Sequence, residues 1–306
     1  MKRKADFLQI QPLKTSKDKI VQPGLADLDV IPRVNSSALF VGHSGSGKTT
    51  LLANLMTRPD MYKNVFKETY LISPTAKTDD IQKDHLKLDD EHMVTDLNEA
   101  PKILKELMEE QEEQIEANKA NNAPLICIIF DDVIGDKNLM KSEEFTKCFI
   151  ACRHYNFTTF ICSQSFKAIP RKCRLQANNI FFFRGSNSEV ESVLEDRSPP
   201  NMNTKQGLAL VEFATKEKYS FLHINMRKDI EERYTKNLDQ TIRYRITKKG
   251  PTGRKIMSRQ QAKDFIERPL EFKKQDDGTS KRGGVQEREG PGLPEPGKPQ
   301  HRVSRG

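Results

Sequence analysis

No stretch of this chain approaches the roughly 20 consecutive apolar residues of a membrane-spanning helix, and its start, Met1-Lys2-Arg3-Lys4-Ala5-Asp6, has no apolar signal core. These absences predict a soluble protein that is not secreted. The five cysteines (Cys127, Cys148, Cys152, Cys162, Cys173) form neither a C-x-x-C pair nor a Cys/His grid, which argues against a zinc site. Cys127 and Cys162 fall inside apolar runs that read as strands, where a thiol acts as a small buried hydrophobe. A reducing intracellular compartment is the simpler inference. No internal repeat is evident. Apolar residues are scarce as well, at 35% against 31% charged, with a mean hydropathy of −0.71. The 306 residues hold one α/β domain of about 200–250 residues plus tails, and that polarity predicts that part of the chain stays disordered.

What the chain has in excess is positive charge. Its formal net charge is +8, which suits a polyanion such as nucleic acid, although a merely solvated basic surface reads the same way. Lys and Arg concentrate in both tails: Lys2, Arg3, Lys4, then Lys248, Lys249, Arg254, Lys255, Lys273, Lys274, Lys281 and Arg282. Composition divides the chain into a basic arm (1–32), a folded domain (33–244) and a basic, largely disordered tail (245–306).

Within the domain, segments at 38–41, 68–73, 125–130, 158–163 and 179–183 read as five strands, with 38–41 and 125–130 apolar throughout. Helices are expected after the first strand, over 97–121 with a Leu97, Ile103, Leu104, Leu107, Ile115 stripe, and around 142–154. Leu208 to Phe213 and Tyr219 to Ile224 read as a C-terminal β-hairpin.

Gly42-His43-Ser44-Gly45-Ser46-Gly47-Lys48-Thr49-Thr50 matches the phosphate-binding pattern G-x-x-x-x-G-K-[ST], with a strand before it and a helix after it. Glycines let such a loop turn its N–H groups inward at the positive end of the helix. Lys48 then supplies charge to the β and γ phosphates of ATP, and the Thr49 hydroxyl ligates Mg²⁺. Asp131 and Asp132 end the third strand, where a carboxylate holds Mg²⁺ through water; Asp132 is the candidate to polarise the attacking water. The same pair would also suit a turn cap before Gly135. Gln164 ends the fourth strand and can sense the γ-phosphate or orient water, unless it is an ordinary surface amide. Arg153, beside His154, can act as a finger on a neighbouring subunit's γ-phosphate or as a helix C-terminal cation, and Arg184 is a second finger candidate.

These residues carry a resemblance. Gly42 to Thr50, Ile129-Phe-Asp-Asp-Val133 with Gly135-Asp-Lys137, Cys152-Arg-His154, Cys162-Ser-Gln164 and Ile169-Pro170 resemble the poxvirus-type DNA-packaging ATPases of large DNA viruses, virophages and related transposons, within the FtsK–HerA superfamily. The resemblance covers about residues 35 to 225. It implies an α/β additional-strand P-loop fold with a RecA-like core, a mainly parallel sheet in the order 5-1-4-3-2, and a homo-oligomeric ring. It also implies ATP-driven translocation of double-stranded DNA into a capsid, with capsid proteins as further partners. The setting would be host cytoplasm or nucleus, with association to the virion.

Two other functions stay open on this sequence. One is a nucleic-acid helicase on the same core, for which no strand-separating element is identifiable. The other is a nucleotide-gated scaffold without motor activity. A GTPase needs an Asn-Lys-x-Asp base reader, and the nearest approach, Lys273-Lys-Gln-Asp276, lies in the tail.

Overall fold

Residues 14–78, 86–199 and 202–243 are described by the computed structural model, and all fall within one compact unit. Their strands are β1 (Ser37–Val41), β2 (Glu68–Ile72), β3 (Met93–Val94), β4 (Ile126–Asp131), β5 (Phe157–Ser163), β6 (Asn179–Phe183), β7 (Phe221–Asn225), β8 (Tyr234–Lys236) and β9 (Gln240–Thr241). They form one sheet in the order β3-β2-β4-β5-β1-β6-β7-β8-β9. From β3 to β6 every pairing is parallel, and from β6 to β9 every pairing is antiparallel. The five strands expected from the sequence stand as β6-β1-β5-β4-β2, which is the 5-1-4-3-2 order of an additional-strand P-loop fold.

Burial explains why the central parallel strands β1, β4, β5 and β6 are mostly apolar: they are buried along nearly their whole length, whereas β2 is buried only at Leu71 and Ile72. Side chains alternate between two cores. Leu39, Ile128, Ile161 and Phe182 face one, while Phe40, Ile129, Phe160 and Phe181 face the other. The first core is closed by α3 (Ala100–Asn118), α5 (Glu143–Ile150), α6 (Arg171–Gln176), α7 (Asn187–Arg197) and α8 (Thr204–Ala214), through Leu104, Phe145, Cys173, Val193 and Leu210. The second is closed by α2 (Lys48–Thr57) and by the chain around the short α1 (Gly24–Asp27), through Leu52, Leu55, Ala26 and Ile31. One further turn, α4 (Lys137–Lys141), is started by Asp136, whose carboxylate accepts the Leu139 N–H at 2.8 Å.

Three expectations change. Leu208–Phe213 is not a strand but the middle of α8, which opens on a reciprocal cap in which Asn203 accepts the Gln206 N–H and the Gln206 side chain accepts the Asn203 N–H. Its buried positions Gly207, Leu210, Val211 and Ala214 are spaced 3, 4 and 7 apart, a helical stripe. The antiparallel C-terminal strands are instead β7, β8 and β9. The helix expected to run to 154 stops at Ile150, with a separate 3₁₀ turn at Cys152–His154. The arm expected up to residue 32 contributes the fully buried Ala26 and Ile31 to the second core. Residues 1–13 and the tail from 245, with the cations named there, lie outside the described residues.

Candidate nucleotide site

Parallel register brings the strand ends together. Val41 pairs with Ser163 and with Phe182, and Asp131 pairs with Cys162, so Gly42, Asp131, Gln164 and Arg184 emerge at one edge of the sheet. Carboxyl ends of parallel strands are where α/β folds bind ligands. The loop from Gly42 is tied to this edge by its own N–H, which donates to the Ser163 carbonyl at 3.1 Å. Gly42 has no room for a side chain, since a Cβ there would lie 2.6 Å from the Phe183 Cβ. Gly47 takes φ 106°, a left-handed turn that glycine adopts without strain, and so starts α2 at Lys48. The first N–H groups of α2 and its positive dipole end therefore face the loop's mouth. Lys48 folds back over that mouth, its Nζ donating to the Gly42 carbonyl at 2.7 Å and to the His43 carbonyl at 3.1 Å.

Ser44, Gly45, Gly47, Lys48, Thr49 and Thr50 line a cleft of about 1370 Å³ together with Asp131, Asp132 and Gln164. Asp131 is half-buried and Asp132 exposed, the latter at φ 54°, a left-handed conformation that Asp tolerates better than most side chains. Cys162 lies beneath them. Burial first, and the nearby Asp131 charge second, push its thiol well up, while Lys48 pulls it down. Glu189 of α7 fixes the segment after Gln164: its carboxylate accepts the Ser165 hydroxyl and the Phe166 N–H, each at 2.7 Å. His43 and Gly42 also border a smaller recess, of about 350 Å³, that contains Gln164, Arg184 and Glu189.

Arg153 is not brought to this site. It precedes β5, so the seven residues of that strand separate it from Gln164 by about 23 Å at ~3.3 Å per residue. There it pairs with Asp18 at 3.0 Å, and His154 Nδ1 lies 3.3 Å from Lys17 Nζ. Arg184, by contrast, follows β6 at the same edge as the loop and is exposed.

The family described as Poxvirus A32 protein matches residues 33–234, well over half of the chain. The chain belongs to that family. No curated protein sequence matches it. Among solved structures, the genome packaging NTPase B204 of Sulfolobus turreted icosahedral virus 2 in complex with AMP is 14% identical at a TM-score of 0.45, covering 63% of this chain and 93% of that one. B204, the DNA-packaging ATPase of Sulfolobus Turreted Icosahedral Virus, is 13% identical at 0.46, with 63% and 94% covered. ATPases 2 and 3 of Thermomonospora curvata EccC, in complex with a signal sequence peptide, are 14% identical at 0.43, with 63% and 35% covered. These likenesses are distant. Among the described residues of the A32-family chain, no helix is long and apolar enough to cross a membrane.

One wall of the cleft escapes a sequence reading. Tyr219, Phe221, Asn237, Leu238 and Asp239 line it, supplied by the α8–β7 loop, by β7 and by the β8–β9 turn. Tyr219 reads as the start of a strand, yet its φ of 66° takes it off strand geometry before β7 begins at Phe221. No local motif announces such a wall, because it forms only when the last strands fold back against β6.

Proposed function

We propose that this A32-family chain is an ATP-hydrolysing motor that translocates double-stranded DNA and packages a viral genome into a capsid, acting as a ring of identical subunits. One observation carries the reading: Lys48, Asp131, Asp132 and Gln164 come from three separate strand ends and line a single cleft. Backbone N–H groups at the start of α2 cradle the triphosphate, and Lys48 exchanges the Gly42 and His43 carbonyls for the β and γ phosphates. Asp132 accepts the proton of the attacking water, and Gln164 holds that water in line. The Thr49 hydroxyl and the Asp131 carboxylate, both hard oxygen donors in this cleft, suit Mg²⁺. Bound there, Mg²⁺ offsets the charge that builds on the transferred phosphoryl group.

Arg153 serves as a finger only if the ring sets one subunit's cleft against the β5 amino end of the next; Arg184 already stands at the catalytic edge. Mixed rings of Arg153→Ala and Lys48→Ala subunits separate the two, because they regain activity only if Arg153 acts across an interface. Action on a viral genome places the protein in host cytoplasm or nucleus, and at the virion during filling.

The deciding experiment is ATP turnover of the full chain with linear duplex, single strand or no DNA. Duplex should stimulate turnover, and binding should be sequence-independent and weaken steeply with salt. Stimulation by single strands or forks alone would point to a helicase. A duplex that neither binds nor stimulates in low salt removes the motor and leaves an ATPase.

A further inference from the structure

The cleft is larger than the roughly 300–1,000 Å³ of most small-molecule sites, so a phosphate cradle at one end leaves part of it unassigned. Besides the cradle, Tyr219, Phe221 and Asn237 line the cleft, as do Leu25, Asn54 and Arg58. We infer that Tyr219 is the stacking platform for the base of the bound nucleoside triphosphate, favouring purines; this rests on reading the cleft as a nucleotide site.

Tyr219 stands next to the cradle. A Cβ placed on Gly47, the residue that starts α2, would lie 3.3 Å from Tyr219 Cδ1 and 3.6 Å from its Cβ. Large side chains of a folded core bury themselves, but Tyr219 stays 58% exposed while lining the cleft. The Lys218 ammonium lies 4.8 Å from the ring centroid. Phe183 and Phe221, which also line the cleft, pack at 5.1 Å between centroids.

The platform is also fixed in place. Tyr219 holds φ 66°, a conformation rare for an aromatic residue, so its surroundings must determine it. They do so through paired loops. The Asn237 N–H donates to the Phe221 carbonyl at 2.9 Å, and the Asn237 side-chain oxygen accepts the Phe221 N–H at 3.2 Å. An ion pair between Lys236 and Glu217 joins the β8–β9 hairpin to the loop that carries Tyr219. The Ser220 hydroxyl closes that loop on the Glu217 carbonyl at 2.7 Å. An exposed aromatic residue on a fastened loop, beside Gly47 of the phosphate loop, has the chemistry of a base platform. Stacking uses the π-face that every base has, so larger purines gain more than pyrimidines and ATP and GTP gain alike.

The test compares ligands with and without a base. Dissociation constants for ATP, UTP and inorganic triphosphate are measured on the full chain and on Tyr219→Ala and Tyr219→Phe. Tyr219→Ala keeps a β-carbon at the left-handed position, so the backbone demand is unchanged. It should weaken ATP about tenfold, the scale of losing one stacked base, and narrow the margin of ATP over UTP. Inorganic triphosphate should bind all three proteins equally, and Tyr219→Phe should hold ATP within about twofold, since the π-face is retained. Unchanged ATP affinity in Tyr219→Ala overturns the platform, as does an equal loss for ATP and triphosphate, which would make Tyr219 a support of the loop. Wild-type protein that binds triphosphate as tightly as ATP overturns it too and leaves the cradle standing. Wild-type protein that binds neither overturns the nucleotide reading itself.

Discussion

At the amino-terminal edge of the parallel strands, Arg33 lies 2.9 Å from Asp29 and Arg153 lies 3.0 Å from Asp18, whereas at the carboxyl edge the charged groups are held differently. Lys48 donates to two loop carbonyls, and neither Asp132 nor Arg184 has an ion-pair partner among the described residues. Both edges depart from ordinary backbone, with Asn35 and Asn156 left-handed at one and Asp132, Gly45 and Gly47 at the other. Strain alone therefore does not mark the site. The difference lies in what satisfies the polar groups. A cation already matched to a carboxylate gains little from a phosphate, because it must give up one anion for another. An ammonium held by carbonyl oxygens gains a full charge pair when a phosphate arrives, where before it faced only carbonyl dipoles.

That contrast predicts its largest effects at the carboxyl edge. Lys48→Ala removes the charge aimed at the phosphates, and Asp131→Ala removes the half-buried carboxylate proposed to anchor Mg²⁺. Each should lower turnover at least about a hundredfold, the scale seen when a group that stabilises developing charge is lost. Asp132→Asn should abolish turnover too, but leave Mg²⁺-ATP affinity within a few-fold, because the amide fills the same space at φ 54° without accepting a proton. Steady-state turnover and ATP binding on the purified variants separate the roles. Normal turnover in Lys48→Ala would break the comparison, and collapsed affinity in Asp132→Asn would make that residue a metal ligand.

Most of this edge is legible in the sequence because its elements are local. A strand, a glycine-bearing loop with Lys48 and Thr49, and a helix occupy consecutive residues, so one short motif encodes geometry and chemistry together. Four of the five strands, β1, β4, β5 and β6, are marked for a related reason: they are buried along nearly their whole length, which favours apolar residues. The wall formed by Tyr219, Phe221 and Asn237 was not legible, since it brings Tyr219 to Gly47 and Asn237 to Phe221 across long sequence separations. The misread strand at Leu208 has another cause. Gly207, Leu210, Val211 and Ala214 sit in a nearly continuous apolar run, where helix and strand periodicities are hard to separate. The Asn203–Gln206 cap was the signal that could have decided it. Arg153, read from the sequence as a finger on a neighbouring subunit or a helix C-terminal cation, sits at the amino end of β5, and strand direction puts it away from the loop of its own subunit.

The amino-terminal edge should answer to stability and not to catalysis. Asn156 is fully buried, donates to the Ala120 carbonyl at 2.7 Å and accepts from Asn35 at 3.0 Å. Asn156→Ala leaves both partners unmatched and forces alanine into a left-handed position. A loss of about 2–3 kcal/mol in urea unfolding should follow, with ATP turnover per folded molecule unchanged. Asn156→Gly, which relieves the backbone demand but not the lost bonds, should fall between Asn156→Ala and wild type. Reduced turnover in folded Asn156→Ala would mean that the two edges are coupled.

Between the edges, mid-strand in β7, His223 offers the smallest effect and a check on both. Its ring stacks on Phe181 at 4.5 Å, with Nε2 2.8 Å from the Asn179 side-chain oxygen and Nδ1 3.4 Å from the Thr235 hydroxyl. Burial first, and the Lys228 charge second, lower its pKa to about 3. Unfolded, the imidazole titrates near 6.5. Between those two values the unfolded chain binds the extra proton, so stability falls as pH drops from about 6.5 towards 3 and is insensitive to this group above that window. From pH 7.5 to pH 6.0 the expected loss is about 0.8 kcal/mol. His223→Gln keeps a polar group opposite Asn179 and cannot take up a proton, so its urea stability should change less over the same interval by that amount. ATP affinity, measured on folded protein at each pH, should be the same in both proteins, because the ring reaches neither edge. If wild type and variant lose equal stability between the two pH values, His223 is not the neutral core residue that its burial implies.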